Sequence, residues 1–479
     1  MSPLDQAIAK ILAGPKGPRI GAFFDFDGTL IDGYSAAAYF GERVRRREAG
    51  WREILDMLLL LKKGDLTEAE FGVVIRKGVA DWAGNTEDEM RELWARLWRE
   101  RIADTQFPEA WHLVQAHRRM GHTLAIASSA TPYQVMPLAD EWGIEHLLCT
   151  QPLIHKGRLS GGVRGQPAWG EGKADAVRAF ADAQKLRLGQ SYAYANGNED
   201  IAFLKTVGHA TAINPKPLLA DTAQAQQWSR LIFAPRRRAT TGSVVRTVGA
   251  YGAMAASFVA GLGYARATGD TRRAVDMITS VGSELGFAVA GIKVEVVGEH
   301  NLWAQRPAVF IINHQSKLDF FLMMNIVRRG FTGVAKKEAE HTPGFGSFMK
   351  MADMAFVDRS DSRRARESLA PVVEKIRKGL CLCIAPEGTR SYSPKLGAFK
   401  KGAFHVAIQA GVPIVPVVIR NAGEVMSRNG QTFRPGTVQI AVLPPVDVSA
   451  WNPDHMDAQI AAVRQQFVDT LAQWPETVA

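Results

Sequence analysis

Cysteine is scarce in this chain: 479 residues carry three. A disulfide framework is improbable on that count, and the chain reads as one kept in a reducing compartment. Cys381 and Cys383 flank Leu382 inside an apolar run, which reads as buried strand and not as a zinc site. The first ~20 residues lack the apolar core of a signal peptide. No helix-turn-helix, zinc-finger or RNA-binding aromatic motif is visible, nor any internal repeat or low-complexity tract. Acidic residues are the other shortage: 48 against 58 Lys and Arg leave a formal charge of +10. With no nucleic-acid motif to use it, that charge fits an anionic membrane surface and no nucleic acid.

What is present is an ordinary globular composition. With 46% hydrophobic and 22% charged residues over the length of two or three domains, wholesale disorder is excluded. Two separate constellations carry chemistry. The later one begins at Asn313-His314-Gln315-Ser316-Lys317-Leu318-Asp319, directly after the apolar run Ala308 to Ile312. A histidine with a nearby carboxylate suits a general base near neutral pH, because the carboxylate fixes its tautomer and stabilises the imidazolium that forms. Ser316 reads as a cap for the helix that follows. Pro386-Glu387-Gly388-Thr389-Arg390-Ser391 comes after another apolar run, Leu380 to Ala385. A glycine turn carrying an arginine fork is a place to hold an anion, although a surface turn with a solvated arginine has the same letters.

Together these segments resemble the signatures of the glycerolipid acyltransferase family, of the type that acylates lysophosphatidic acid. Two weaker segments continue the resemblance in order. Ala355 to Arg359 resembles the second block, with Asp353 where the family usually has glycine; Val412 to Val417, preceded by the basic loop Phe399 to Ala403, resembles the fourth. The resemblance implies that His314 deprotonates a glycerol hydroxyl, that Asp319 orients His314, and that the oxygen attacks an acyl thioester directly. It also implies a phosphate site on Arg359 and Arg390, with Glu387 orienting it beside Gly388 and Thr389, and Lys400 as a further phosphate candidate. The donor would be acyl-coenzyme A or acyl carrier protein, and the acceptor a lysophospholipid.

The earlier constellation is Ala22-Phe23-Phe24-Asp25-Phe26-Asp27-Gly28-Thr29-Leu30, an apolar run closing on alternate carboxylates. Alternation puts both acids on one side of a strand end, where they can bind Mg2+ and attack phosphorus; the plainer reading is a strand and an Asp-Gly turn. The string resembles the haloacid dehalogenase superfamily of phosphatases, in particular the subgroup that includes phosphoserine phosphatase. By that resemblance Asp25 is the nucleophile and Asp27 the acid and base. Ser128, closing the run Leu124 to Ser128, binds the phosphoryl group, and Lys173 neutralises the aspartyl phosphate. Asp25, Asp27, Asn196 and Asp200 would hold Mg2+. The family usually has aspartate at both of the last two positions, so Asn196 is a departure that implies a weaker metal site and a slower phosphatase.

The expected fold class is α/β: an N-terminal doubly wound parallel sheet with a helical cap over about 33–105, and a C-terminal α/β glycerolipid acyltransferase domain with membrane-proximal helices. The expected domains are 1–235 and 236–479. Helical patterns over 36–49, 51–62, 67–80 and 88–102 fill the cap, and 214–243 reads as a connector with a helical pattern at 220–232. Val244 to Ala267 reads as an interfacial helix, a single span or a packed small-residue helix, with membrane-proximal embedding favoured. The expected function is a membrane-associated enzyme of phospholipid biosynthesis, peripheral or monotopic on the cytoplasmic face. It would make phosphatidic acid from lysophosphatidic acid and carry a fused Mg2+-dependent phosphatase-like domain. Two alternatives stand beside it: acyl transfer to another acceptor with a lipid-phosphate phosphatase, and an N-terminal domain serving as scaffold or sensor.

Overall fold

A computed structural model describes residues 2–51, 67–236, 239–342, 345–357 and 370–476. The chain divides into two compact units, Met1–Arg238 and Ala239–Ala479.

The first unit is built on strands β1 (Gly21–Phe24), β2 (Thr123–Ser128), β3 (His146–Cys149), β6 (Tyr192–Ala195), β7 (His209–Ile213) and β8 (Ser229–Leu231), in the order β3-β2-β1-β6-β7-β8. Every pairing in this sheet is parallel. A separate antiparallel hairpin joins β4 (Pro152–His155) to β5 (Arg158–Val163). A parallel sheet must be covered on both faces, and β1 is apolar and buried at all four positions. Phe23 packs with Val177 and Phe203 on one face, while Phe24 stacks on Tyr194 and meets the edge of His117 on the other. From β1 the strand order runs outward both ways, which makes the carboxyl ends of β2, β1 and β6 a topological switch point and a natural crevice.

Helices Ser35–Arg45, Glu68–Ala80 and Glu87–Leu97 follow β1. The last two open with reciprocal capping boxes, Thr67 with Glu70 and Thr86 with Glu89, as the Thr-x-x-Glu spacing allows. Most of the 51–62 pattern lies outside the described residues. The 220–232 reading needs correction. The helix there is Pro217–Ala225, Gln227 turns the chain at φ 55°, and β8 pairs with β7, so the sheet claims part of what reads as connector.

The second unit opens with a 28-residue helix, Thr241–Thr268, capped by the Thr240 side chain and stopped by Gly269. By length and composition it could cross a membrane, and 17% of its apolar window is buried. A seven-stranded sheet follows, from β9 (Ile292–Val297), β10 (Val309–Ile312), β11 (Phe331–Lys336), β12 (Ala355–Val357), β13 (Cys381–Ile384), β14 (Ile414–Ile419) and β15 (Gly436–Val442). The order is β12-β11-β13-β10-β14-β15-β9, parallel except for β14 with β15. Alternation along β10 sends Phe310 and Ile312 into one core with Leu322 and Val417, and Val309 and Ile311 into the other with Leu382 and Phe404. Each such side chain, fully buried, contributes about 1.5–3 kcal/mol. Strand β10, between β13 and β14, is the second unit's switch point.

Candidate active sites

In the first unit Asp25 follows β1 directly, held by its own N–H to the Tyr194 carbonyl at 2.9 Å. Lys173, on the helix Glu171–Gln184, donates from Nζ to Asp25 Oδ1 at 2.9 Å and to Asp200 Oδ1 at 2.5 Å. All three side chains are buried. Burial pushes the Asp25 carboxyl up, and Lys173 pulls it part of the way back. Burial opposes the charge on Lys173, but Asp200 and Asp25 outweigh it and raise the ammonium. Ser128, at the end of β2, is buried and accepts the Ala130 N–H at 3.2 Å. Asp27 is engaged separately: its carboxylate accepts the Ser35 N–H at 2.7 Å and the Ser35 hydroxyl at 3.1 Å. Gly28 sits at φ 79°, and a Cβ there would meet Asn196 Nδ2 at 2.2 Å, so this turn requires glycine.

Asn196 accepts the Thr29 hydroxyl at 3.5 Å. Among the described residues no group of three or more Asp, Glu, His or Cys is placed to hold a metal ion. Asp25 and Asp200 meet at Lys173, and Asn196 lies against the Gly28–Thr29 turn; all three are oxygen donors of the kind Mg2+ takes, one of them a neutral amide. The set fits a hard cation in kind and is deficient in charge.

In the second unit β10 delivers Asn313 and His314. The Asn313 side chain bonds both ways to Ile419 at the end of β14, each at 2.7 Å, so the turn leaving β10 is pinned. His314 Nδ1 lies 2.8 Å from Asp319 Oδ2. The same oxygen accepts the Gln315 and Ser316 N–H groups at 2.7 and 2.9 Å. With Nδ1–H given to a carboxylate, the neutral ring leaves Nε2 as its acceptor atom. The imidazole is 23% exposed and Asp319 is fully buried.

Glu387 stands after β13. Its two oxygens accept the His314 N–H and the Gly397 N–H, both at 2.7 Å. Burial raises this carboxyl against the pull of those two N–H groups. Glu387 therefore fixes the backbone at His314 and at Gly397. Gly388 takes φ 73°, and a Cβ there would meet Lys400 Nζ at 3.0 Å, which places Lys400 over the turn. Thr389 is exposed. Arg390 donates from Nη1 to the Arg428 carbonyl, and Ser391 donates its N–H to the His314 carbonyl at 2.8 Å. The two segments are thus one site. Arg359 lies outside the described residues. Asp353 adopts φ 57°, the left-handed conformation that glycine takes most easily and that aspartate tolerates better than most residues.

Residues 22–205 match the haloacid dehalogenase-like hydrolase family model, and residues 293–420 match the acyltransferase model. The chain joins a haloacid dehalogenase-like domain to an acyltransferase domain. It is 40% identical over 186 residues to a 1-acyl-sn-glycerol-3-phosphate acyltransferase of Saccharomyces cerevisiae, covering 38% of this chain and 61% of the relative. It is 34% identical over 184 residues to the human 1-acyl-sn-glycerol-3-phosphate acyltransferase alpha, covering 38% and 65%. The chain thus spans less than two thirds of these relatives' lengths. A solved 1-acyl-sn-glycerophosphate acyltransferase, PlsC, from Thermotoga maritima matches at 22% identity and TM-score 0.42, over 49% of this chain and 97% of that one.

In the haloacid dehalogenase-like domain, sequence reasoning missed Ser35 and Gln134. Gln134 Nε2 donates to Ser35 Oγ at 3.1 Å, linking Asp27 to the helix Pro132–Trp142 beyond β2. In the acyltransferase domain it missed Asn313 and Arg428. Asn313 was within reach, since an amide directly after a buried strand needs partners. Arg428 lies in a loop with no motif around it.

Proposed function

We propose that the acyltransferase domain transfers an acyl chain from an acyl thioester to lysophosphatidic acid, giving phosphatidic acid. The observation that carries this reading is the His314–Asp319 pair at 2.8 Å, its loop tied to Glu387 and Ser391. His314 Nε2 takes the proton of the acceptor hydroxyl while the oxygen attacks the thioester carbonyl; Asp319 stabilises the imidazolium, which then protonates the departing thiolate. Arg390, with Arg359 and Lys400, holds the acceptor's phosphate. The weakly buried helix Thr241–Thr268 and the net charge of +10 support docking at the cytoplasmic face of an anionic membrane.

The haloacid dehalogenase-like domain is a phosphatase by the same reasoning. Asp25 attacks phosphorus, Ser128 and Lys173 hold the phosphoryl oxygens, and Asp27 protonates the leaving oxygen and then activates water. A Mg2+ ion held by Asp25, Asp27, Asn196 and Asp200 would offset the charge of the incoming phosphate. The domains extend over about 1–235 and 236–479, with the described helices between 33 and 105 forming the cap.

The test is separability. His314→Ala abolishes acyl transfer and spares phosphate release, and Asp25→Asn does the reverse. Loss of both reactions in a folded single variant contradicts two independent sites.

A further inference from the structure

The loop Met426 to Gly430 carries no recognised motif, yet it is fastened to both halves of the acyltransfer site. Ser316 Oγ, fully buried, donates to the Met426 carbonyl at 2.6 Å, and Lys317 Nζ approaches the Gly430 carbonyl at 3.4 Å. On the other side the bonding is reciprocal: Arg390 Nη1 donates to the Arg428 carbonyl, and Arg428 Nη1 donates to the Arg390 carbonyl. This brings two guanidinium-bearing residues together, one residue along the chain from the Ser391 N–H that binds the His314 carbonyl.

Arg428 is supported without being neutralised. Its guanidinium carbon lies 3.7 Å from the centre of the Tyr392 ring, and its Nη1 is on a carbonyl. Its Nε is buried and has no hydrogen-bond partner among the described residues. A ring face and a carbonyl orient the Arg428 guanidinium but leave its charge in place, beside the backbone of Arg390. An arrangement of this kind gains most from an anion that can use both forks at once.

We infer that Arg428 is a positioning and specificity residue that completes, with Arg390, a two-guanidinium subsite for a phosphate monoester. This deepens the acyltransferase reading and rests on it for the identity of the acceptor. A monoester near neutral pH carries about −1.5 to −2 charges, whereas a phosphodiester carries about −1 and a glyceride none. The pair therefore selects lysophosphatidic acid over lysophospholipids whose phosphate bears a further headgroup.

Two measurements on the full chain test this. Acyl transfer to lysophosphatidic acid and to 1-acylglycerol is compared for wild type, Arg428→Gln and Arg428→Lys. The glutamine variant is expected to raise KM for lysophosphatidic acid by about tenfold or more with kcat little changed, and lysine to restore part of the loss. An unchanged KM, or a fall in kcat alone, overturns the inference. Separately, phenylglyoxal modification of Arg428 in wild type is read by mass spectrometry of its peptide. sn-Glycerol 3-phosphate is expected to protect it and glycerol to leave it reactive; equal modification with both overturns the inference without reference to any variant's folding. Protection by the phosphate in a protein that does not acylate lysophosphatidic acid would refute the proposed acceptor and leave the anion subsite standing.

Discussion

Replacing Asp319 by asparagine removes one charge from a fully buried group while keeping its shape. Oδ2 accepts three donors, the His314 ring and the Gln315 and Ser316 N–H groups, while Oδ1 is buried and has no partner among the described residues. The asparagine amide nitrogen will therefore take the Oδ1 position, because the alternative aims a donor at three donors. The ring keeps its tautomer, but the developing imidazolium loses its counter-charge. Two unit charges ~4 Å apart at an effective dielectric of ~20 interact by about 4 kcal/mol, an upper bound for a partly exposed ring. At about 1.4 kcal/mol per decade, kcat should fall by roughly 10²–10³. KM for the acceptor should barely move, since the carboxylate is buried behind the base. The weaker hydrogen bonds cost on the order of 1–3 kcal/mol of stability. The assay is steady-state acyl transfer with folding checked by circular dichroism. A folded Asp319→Asn protein within about threefold of wild-type kcat would refute the base assignment, since positioned acid–base catalysis contributes about 10²–10⁴.

Further outcomes follow from other contacts. Glu387→Gln leaves one oxygen for two N–H groups, so the acyltransferase domain should lose about 1–3 kcal/mol in denaturant unfolding and acyl transfer should fall, with phosphate release unchanged. Asn196→Asp restores a charge to the oxygen donors near Asp25, and calorimetric Mg2+ affinity should rise on the order of tenfold; unchanged affinity would remove Asn196 from the metal set. His117, His122 and Tyr194 form a buried chain ending on the Pro15 carbonyl, with spacings of 2.7–2.8 Å. The carbonyl requires Nε2–H on His122, so His117 donates from Nδ1 and accepts the Tyr194 hydroxyl at Nε2. Burial first, and His122 second, hold His117 well below the usual imidazole range. The unfolded chain binds these protons below about pH 6.5, so this pair contributes no loss above that pH and withdraws stability as pH falls beneath it. Nitrogen-15 shifts should show these two tautomers and a neutral His117 where a free imidazole is charged; an imidazolium at His117 would contradict the chain of donors.

Both candidate sites were legible because each sits where an apolar strand meets a run of chemistry-bearing residues. Asp25 after Gly21–Phe24 and His314 after Val309–Ile312 are the clearest cases, and the parallel sheets put them at switch points. Less visible were contacts between segments far apart in the chain. Glu387 lies next to Gly388 in sequence, but its oxygens reach the backbone of His314 and Gly397, and no local pattern encodes that reach. Ser35 reads as an ordinary helix start, and only the fold turns its N–H and hydroxyl toward Asp27. Strand β8 was hidden for a related reason, since Ser229–Leu231 is too short to show a period and is defined by pairing with β7. Asp353 shows the reverse: the resemblance leads one to expect glycine there, and the aspartate takes the left-handed conformation, φ 57°, that glycine adopts most easily.

Every role proposed for the second unit depends on His314 driving acyl transfer to a lysophospholipid. The deciding measurement is incubation of labelled acyl-coenzyme A with lysophosphatidic acid on anionic vesicles, with Mg2+ present and products resolved, for wild type and His314→Ala. Labelled phosphatidic acid from wild type, or diacylglycerol derived from it, and neither from a folded His314→Ala protein, is the expected result. Undiminished labelled product from His314→Ala, or none from folded wild type with either acyl-coenzyme A or acyl carrier protein as donor, would contradict it.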